Sequence, residues 1–219
     1  MQDHAPQRQR QGRAARTRMV RIKVVSLGDC GVGKSCLIKR YCEGKFISKY
    51  IPTIGVDYGV KPVKLGDFEA SSPGKRTVRV NLWDMAGPDD YLEVRNEFYR
   101  DTQGALLVFD VGSRVSFEAL PRWLDEARCC GAPRDMVVCV VGTKADAAPA
   151  SRRVPEQEAR DWALARGLRY FEVSALTGAS VGATFATLFA QVLASTVNVP
   201  QDAVARAECE AELLTGGAQ

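Results

Sequence analysis

One octapeptide, Gly28-Asp29-Cys30-Gly31-Val32-Gly33-Lys34-Ser35, constrains this chain more than any other stretch. It fits GxxxxGK[ST]. The β-branched run 20–27 (VRIKVVSL) precedes it and predicts a strand. Residues 34–44 (KSCLIKRYCEG) follow it, with Leu37, Ile38 and Tyr41 at helical spacing and Gly44 as the stop, and predict a helix. Strand, glycine-rich loop and helix in that order make a phosphate cradle. Glycines let backbone N–H groups curve around phosphate oxygens with no Cβ in the way. Lys34 brings a cation to the β- and γ-phosphates, Ser35 a hydroxyl for Mg2+, and the helix N-terminus the positive end of its dipole. The motif implies a nucleoside triphosphate. It does not choose the base, nor decide whether the phosphoryl group goes to water or to an acceptor.

Downstream, short apolar runs alternate with amphipathic segments. Strands are predicted over 57–65 and 76–84, joined by a turn containing SSPGK, then over 104–111, 136–142 and 169–175. Helices are predicted around 116–130 and 156–166. A last one, 180–196, places Val181, Phe185, Leu188, Phe189 and Val192 on one face. Such alternation means an α/β domain with a mainly parallel sheet, whose ligands sit at the carboxyl ends of the strands. The length of 219 residues, with 46% hydrophobic and 26% charged residues, suits one such domain and excludes collagen-like or wholly disordered chains.

The net charge of +4 is unevenly placed. Residues 1–18 carry five arginines against Asp3 and are expected to be a mobile basic tail; the body is expected over 19–198, and 199–219 to be an acidic tail. This balance gives no argument for a nucleic-acid partner. Seven cysteines, an odd number without a CxxC pair, and the lack of an apolar leader favour reduced thiols inside a cell.

Two further clusters end strands. Thr143-Lys144-Ala145-Asp146 follows 136–142. An Asp there can accept from guanine N1–H and the exocyclic amine; adenine offers neither, so a buried carboxylate would be left unpaired, at about 1–3 kcal/mol or more. The Lys144 stem can lie along the base, and Ser174-Ala175-Leu176 follows the last predicted strand. Trp83-Asp84-Met85-Ala86-Gly87 ends another strand: Asp84 can hold Mg2+ through water, and Gly87 can offer its N–H to a γ-phosphate. Thr53, in Tyr50-Ile51-Pro52-Thr53-Ile54-Gly55, can add a metal ligand once the terminal phosphate draws its loop in.

With these clusters in order, residues 20–197 resemble the small GTPases of the Ras superfamily. TIGVDYGVK and the Trp-Asp before Ala-Gly are similar to the Rab branch. DMAG, followed by YLEVRNEFYRDTQGALLVFDVG, is similar to the Rab-and-DnaJ-like (RJL) group. The resemblance implies a Ras-like P-loop NTPase fold: a six-stranded, mostly parallel sheet with one antiparallel strand and helices on both faces. It implies GTP/GDP and Mg2+ as ligands, with Asp29, Cys30, Gly31, Val32, Gly33, Lys34, Ser35 and Cys36 around the phosphates. Phe46 would pack on the base, Tyr50 would lie over the phosphates, and the Ser174-Ala175-Leu176 backbone would meet the guanine oxygen. Metal ligation would fall to Ser35, Thr53 and, through water, Asp84; catalysis to Lys34, Thr53 and Gly87. Tyr58, Trp83 and Phe98 match an aromatic trio that meets protein effectors; ordinary aromatic packing is the other reading. An exchange factor and a monomeric state are implied too. The expected location is the cytoplasm, with the flagellum, basal body or nucleus left open.

Three departures stand out. Pro88 replaces the Gln that orients the attacking water; proline has neither a side-chain donor or acceptor nor an N–H. Cys30 stands where Gly or Ser is usual. The sequence closes on LLTGGAQ, with no CaaX box, so no stable lipid anchor is expected. Animal relatives of the group continue into a J domain, but HPD occurs nowhere here, so co-chaperone work is not expected to carry over. A nucleotide-dependent switch, a GTP-locked scaffold and, against the weight of Asp146 and Ser174, a small-molecule kinase are the functions to separate.

Overall fold

The computed structural model describes residues 20–64 and 77–197. The expected tails 1–18 and 199–219, and the SSPGK turn, lie outside the described residues. Six strands, β1 (Val20–Leu27), β2 (Val56–Lys64), β3 (Thr77–Met85), β4 (Gly104–Asp110), β5 (Val137–Thr143) and β6 (Arg169–Glu172), form one sheet in the order β2-β3-β1-β4-β5-β6. β2 runs antiparallel to β3, and every other pair is parallel. The helices are α1 (Lys34–Glu43), α2 (Leu92–Tyr99), α3 (Arg114–Glu118), α4 (Leu120–Cys129), α5 (Glu156–Leu164) and α6 (Val181–Val197). This is the Ras-like α/β arrangement that the sequence implied.

Side chains alternate across the sheet with the period of two that a pleated strand imposes. Ile22, Val24, Leu106, Val108 and Val141 face α1 and α6, where Leu37, Ile38, Phe185 and Leu188 close one core. Val25, Leu27, Leu107, Phe109 and Val140 face the other side, closed by Tyr99, Phe117, Trp123 and Ala163. With both faces covered, the central strands read as continuous apolar runs.

Three elements differ from expectation. The helix expected around 116–130 is two, α3 and α4, meeting at Ala119 with Pro121 in the first turn of α4, where a missing N–H costs nothing. β6 ends at Glu172 rather than 175, because the chain turns there into the loop carrying Ser174. α2 was not expected at all. Its inward face carries Arg95 beside Tyr99 and Phe98, while Leu92 and Val94 are exposed beside Glu93 and Glu97, so apolar residues fall on both faces and blur the pattern by which a helix is read.

Candidate nucleotide site

The loops following β1, β3, β5 and β6, together with the chain between α1 and β2, enclose a cleft of about 620 Å³ at the carboxyl ends of the parallel strands. The phosphate loop forms its floor. Gly28 stands at φ +138°, and a Cβ there would lie 2.1 Å from the Val108 carbonyl oxygen, so only glycine fits beside β4. Lys34 is nearly buried. Its Nζ donates to the carbonyls of Gly28 (2.6 Å) and Asp29 (2.8 Å), folding back over the loop it belongs to. Burial lowers its pKa to about 8, against the opposing pull of Asp84 first and then Cys30 and Asp29.

Three oxygen donors from three separate segments converge beside it. Ser35 Oγ lies 2.9 Å from Thr53 Oγ1, and Thr53 Oγ1 donates to Asp84 Oδ2 at 3.2 Å. Asp84 is fixed from behind: Ser26 Oγ donates to its Oδ1 (3.0 Å) and accepts the Met85 N–H (3.2 Å). Two hydroxyls and a carboxylate are hard oxygen ligands of the kind Mg2+ takes alongside phosphate and water, so the residues fit that ion. The loop bearing Thr53 is therefore drawn inward. The Ala86 N–H donates to the Gly55 carbonyl (2.9 Å), which joins it to the segment after β3.

That segment lies hard against the phosphate loop. A Cβ on Gly87 would approach Cys30 N to 2.4 Å and the Asp29 carbonyl carbon to 2.7 Å, both backbone atoms that cannot step aside. Tyr50 closes the same end, its hydroxyl 2.8 Å from Cys30 Sγ; that hydrogen bond is the leading cause of a raised Tyr50 pKa. At the opposite end Phe46, Lys144, Asp146, Ala175 and Leu176 line the cleft. Lys144, at φ +59°, lays its Nζ on the Gly31 carbonyl (3.0 Å) and on Asp110 Oδ2 (2.6 Å).

Several sequence-derived site residues play a different part. Asp29 turns its carboxylate away, toward Trp123 Nε1 (2.8 Å) and Arg122 (3.3 Å), leaving only its backbone to the site. Val32 points into the core and Ser174 is buried, its Oγ accepting the Thr177 N–H (3.0 Å); both can serve a nucleotide only through the main chain. Thr143 is buried as well. Its hydroxyl is spent on the carbonyls of Val32 (2.5 Å) and Phe109 (3.0 Å), which ties β5 to the phosphate loop. Asp146 is exposed at the cleft rather than buried, so discrimination against adenine would depend on the base itself sealing the carboxylate from water. Cys36 and Gly31 line the cleft as expected. Tyr58, Trp83 and Phe98 form one run of tilted rings across β2, β3 and α2, with ring centroids 4.4 and 4.8 Å apart, interplanar angles of 45° and 46°, and Tyr58 half exposed.

Sequence reasoning missed the anchorage of the Pro88 segment. Arg95, fully buried, donates from Nη1 to the carbonyls of Ala86 (3.1 Å) and Pro88 (2.6 Å), and from Nε and Nη2 to the Glu126 carboxylate (2.7 and 2.8 Å). Burial works against its charge, but Glu126 outweighs that and holds the Arg95 pKa above its ordinary value. Arg122 adds an outer clasp, reaching Asp89 (3.0 Å) and Asp29 (3.3 Å) together. Partners 31 and 33 residues apart leave no local pattern to find.

The sheet order, the glycine-rich loop between β1 and α1, and the carboxylate at the end of β3 define a P-loop NTPase with a Ras-like G domain. A family model described as "Ras family" matches residues 23–194, and the chain belongs to that family of small GTPases. It is similar to the protein called "DnaJ homolog subfamily C member 27" in Gallus gallus: 44% identical over 196 residues, 88% of this chain and 67% of the relative. The Homo sapiens protein of that name is 44% identical over 197 residues, with the same coverage. The Rattus norvegicus protein is 46% identical over 178 residues, 80% of this chain and 62% of the relative. The chain thus spans about two thirds of the length of these Rab-and-DnaJ-like relatives.

Proposed function

We propose that the chain is a guanine-nucleotide switch that binds GTP and GDP with Mg2+, engages protein effectors in the GTP form and hydrolyses GTP slowly. The observation that carries this reading is the convergence of Ser35, Thr53 and Asp84 within 3.2 Å, from three segments, at the phosphate end of the cleft. Mg2+ held there by Ser35 and Thr53, and through water by Asp84, would neutralise phosphate charge. Lys34 and the loop N–H groups bind the phosphates. Because Thr53 belongs to a loop whose inward position depends on that end of the cleft, loss of the γ-phosphate would release it, and with it the effector face around Tyr58.

Hydrolysis needs a water held in line. Pro88 lines the cleft where the orienting Gln would stand and has nothing to hold that water with. In single-turnover assays Pro88→Gln should speed hydrolysis; wild type as fast as the variant would mean another group aims the water. A second reading, a scaffold that stays loaded with GTP, draws on the Arg95 anchor, which holds the Pro88 carbonyl and so restrains this segment. Chromatography of nucleotide released from the purified protein separates the two: GDP supports the switch, GTP the scaffold.

A further inference from the structure

Arg40 stands in the last turn of α1, outside the cleft, and every nitrogen of its guanidinium is engaged. Nε donates to the Ala175 carbonyl (2.6 Å), Nη2 to the Leu176 carbonyl, and Nη1 to the Gly44 carbonyl (2.8 Å). Ala175 and Leu176 line the cleft; Gly44 caps α1 two residues before Phe46, which lines it too. One cationic fork therefore holds two stretches of chain, at Gly44 and at Ala175–Leu176, that are far apart in sequence and form walls of the same slot. The planar guanidinium suits this, since three donors in fixed directions fix three acceptors at once. In a trans peptide the N–H points opposite to the C=O. Drawing the Ala175 carbonyl toward Arg40 therefore turns the Leu176 N–H away from it, and the Thr177 N–H is already taken by Ser174 Oγ (3.0 Å). Ser174 in turn is held by its own N–H on the Ala179 carbonyl (3.1 Å).

We propose that Arg40 is a positioning residue for base recognition: from behind the wall it sets the Ala175–Leu176 backbone against the 6-oxygen of a bound guanine and thereby slows nucleotide release. This rests on the guanine-nucleotide reading above. Charge-assisted hydrogen bonds of this kind are the stronger ones in proteins. Their loss in Arg40→Ala should accelerate GDP dissociation about tenfold to a hundredfold. Arg40→Lys keeps the charge but loses the fork, and should fall between the two.

The test is a dissociation series on the full chain with GDP, IDP and 6-thio-GDP. IDP lacks the 2-amine that faces Asp146 but keeps the 6-oxygen; 6-thio-GDP keeps the amine and replaces that oxygen with a weakly accepting sulfur. Arg40→Ala should accelerate release of GDP and IDP by the same factor and of 6-thio-GDP by much less. Equal acceleration of all three would mean general loosening and overturn the positioning role, as would an unchanged GDP rate. Should Arg40→Ala fail to fold, Arg40→Lys carries the same comparison with a smaller factor. A wild-type protein that holds no guanine nucleotide would instead overturn the functional reading itself.

Discussion

Glu126→Ala tests the buried anchor under the Pro88 segment. Glu126 accepts from Arg95 Nε (2.7 Å), Arg95 Nη2 (2.8 Å) and the Tyr99 hydroxyl (2.5 Å). Arg95 is 0% exposed, with the Trp123 ring 4.9 Å from its Cζ. Removing the carboxylate leaves a buried cation facing only neutral carbonyls and a buried phenol without its acceptor. Breaking a buried pair on one side costs about 3–5 kcal/mol. For a domain of this size, at about 2–4 °C per kcal/mol, Tm should drop by about 6–20 °C. The cost arises from an uncompensated charge rather than from lost packing, so the paired variant Arg95→Met/Glu126→Leu should recover most of it. Urea and thermal unfolding of the three proteins, at one saturating GDP concentration, measure both quantities. A loss below about 1 kcal/mol in Glu126→Ala, or a double variant as unstable as the single, would refute the account of a desolvated charge pair.

Two other outcomes follow from the site. Asp146→Asn should weaken GTP binding about 5- to 150-fold and favour xanthine nucleotides, whose carbonyl replaces the guanine amine; equal GTP affinity in variant and wild type, by equilibrium titration, would refute the pairing. Lys34 has a pKa of about 8 in the free protein, and bound phosphates favour its charged form. Binding above pH 8 must then take up a proton, and GDP affinity should fall by up to about tenfold per pH unit there while staying level below it. Titration calorimetry in two buffers reads the proton uptake directly, and a flat affinity from pH 7 to 9.5 would contradict the burial argument.

What could be read in advance was local. The phosphate loop, Asp84 at the end of β3 and Lys144 after β5 are short contiguous segments whose conformation is set by glycines and by the strand each one ends. A strand followed by GxxxxGK[ST] and a helix specifies its own shape, and apolar runs covered on both faces show where the sheet lies. The order of the strands and the hydrogen bond that joins Thr53 to Ser35 were not legible in advance, since no periodicity encodes them.

Tertiary structure decided where polar side chains spend their hydrogen bonds. Asp29 belongs to the phosphate loop by sequence, yet its carboxylate serves Trp123 and Arg122 on α4. Thr143 begins the base motif, yet its hydroxyl ties Val32 to Phe109. Arg95 lies on the buried face of a short helix that also exposes Leu92 and Val94, so apolar residues fall on both faces and the helix escapes an amphipathic reading, and its partner is 31 residues away. Arg40 looks like a solvated residue at a helix end until Ala175 and Leu176 arrive beside it. The physical reason is the same in each case. A buried or half-buried polar group must find a partner wherever the fold brings one, and that choice depends on segments that sequence proximity does not join.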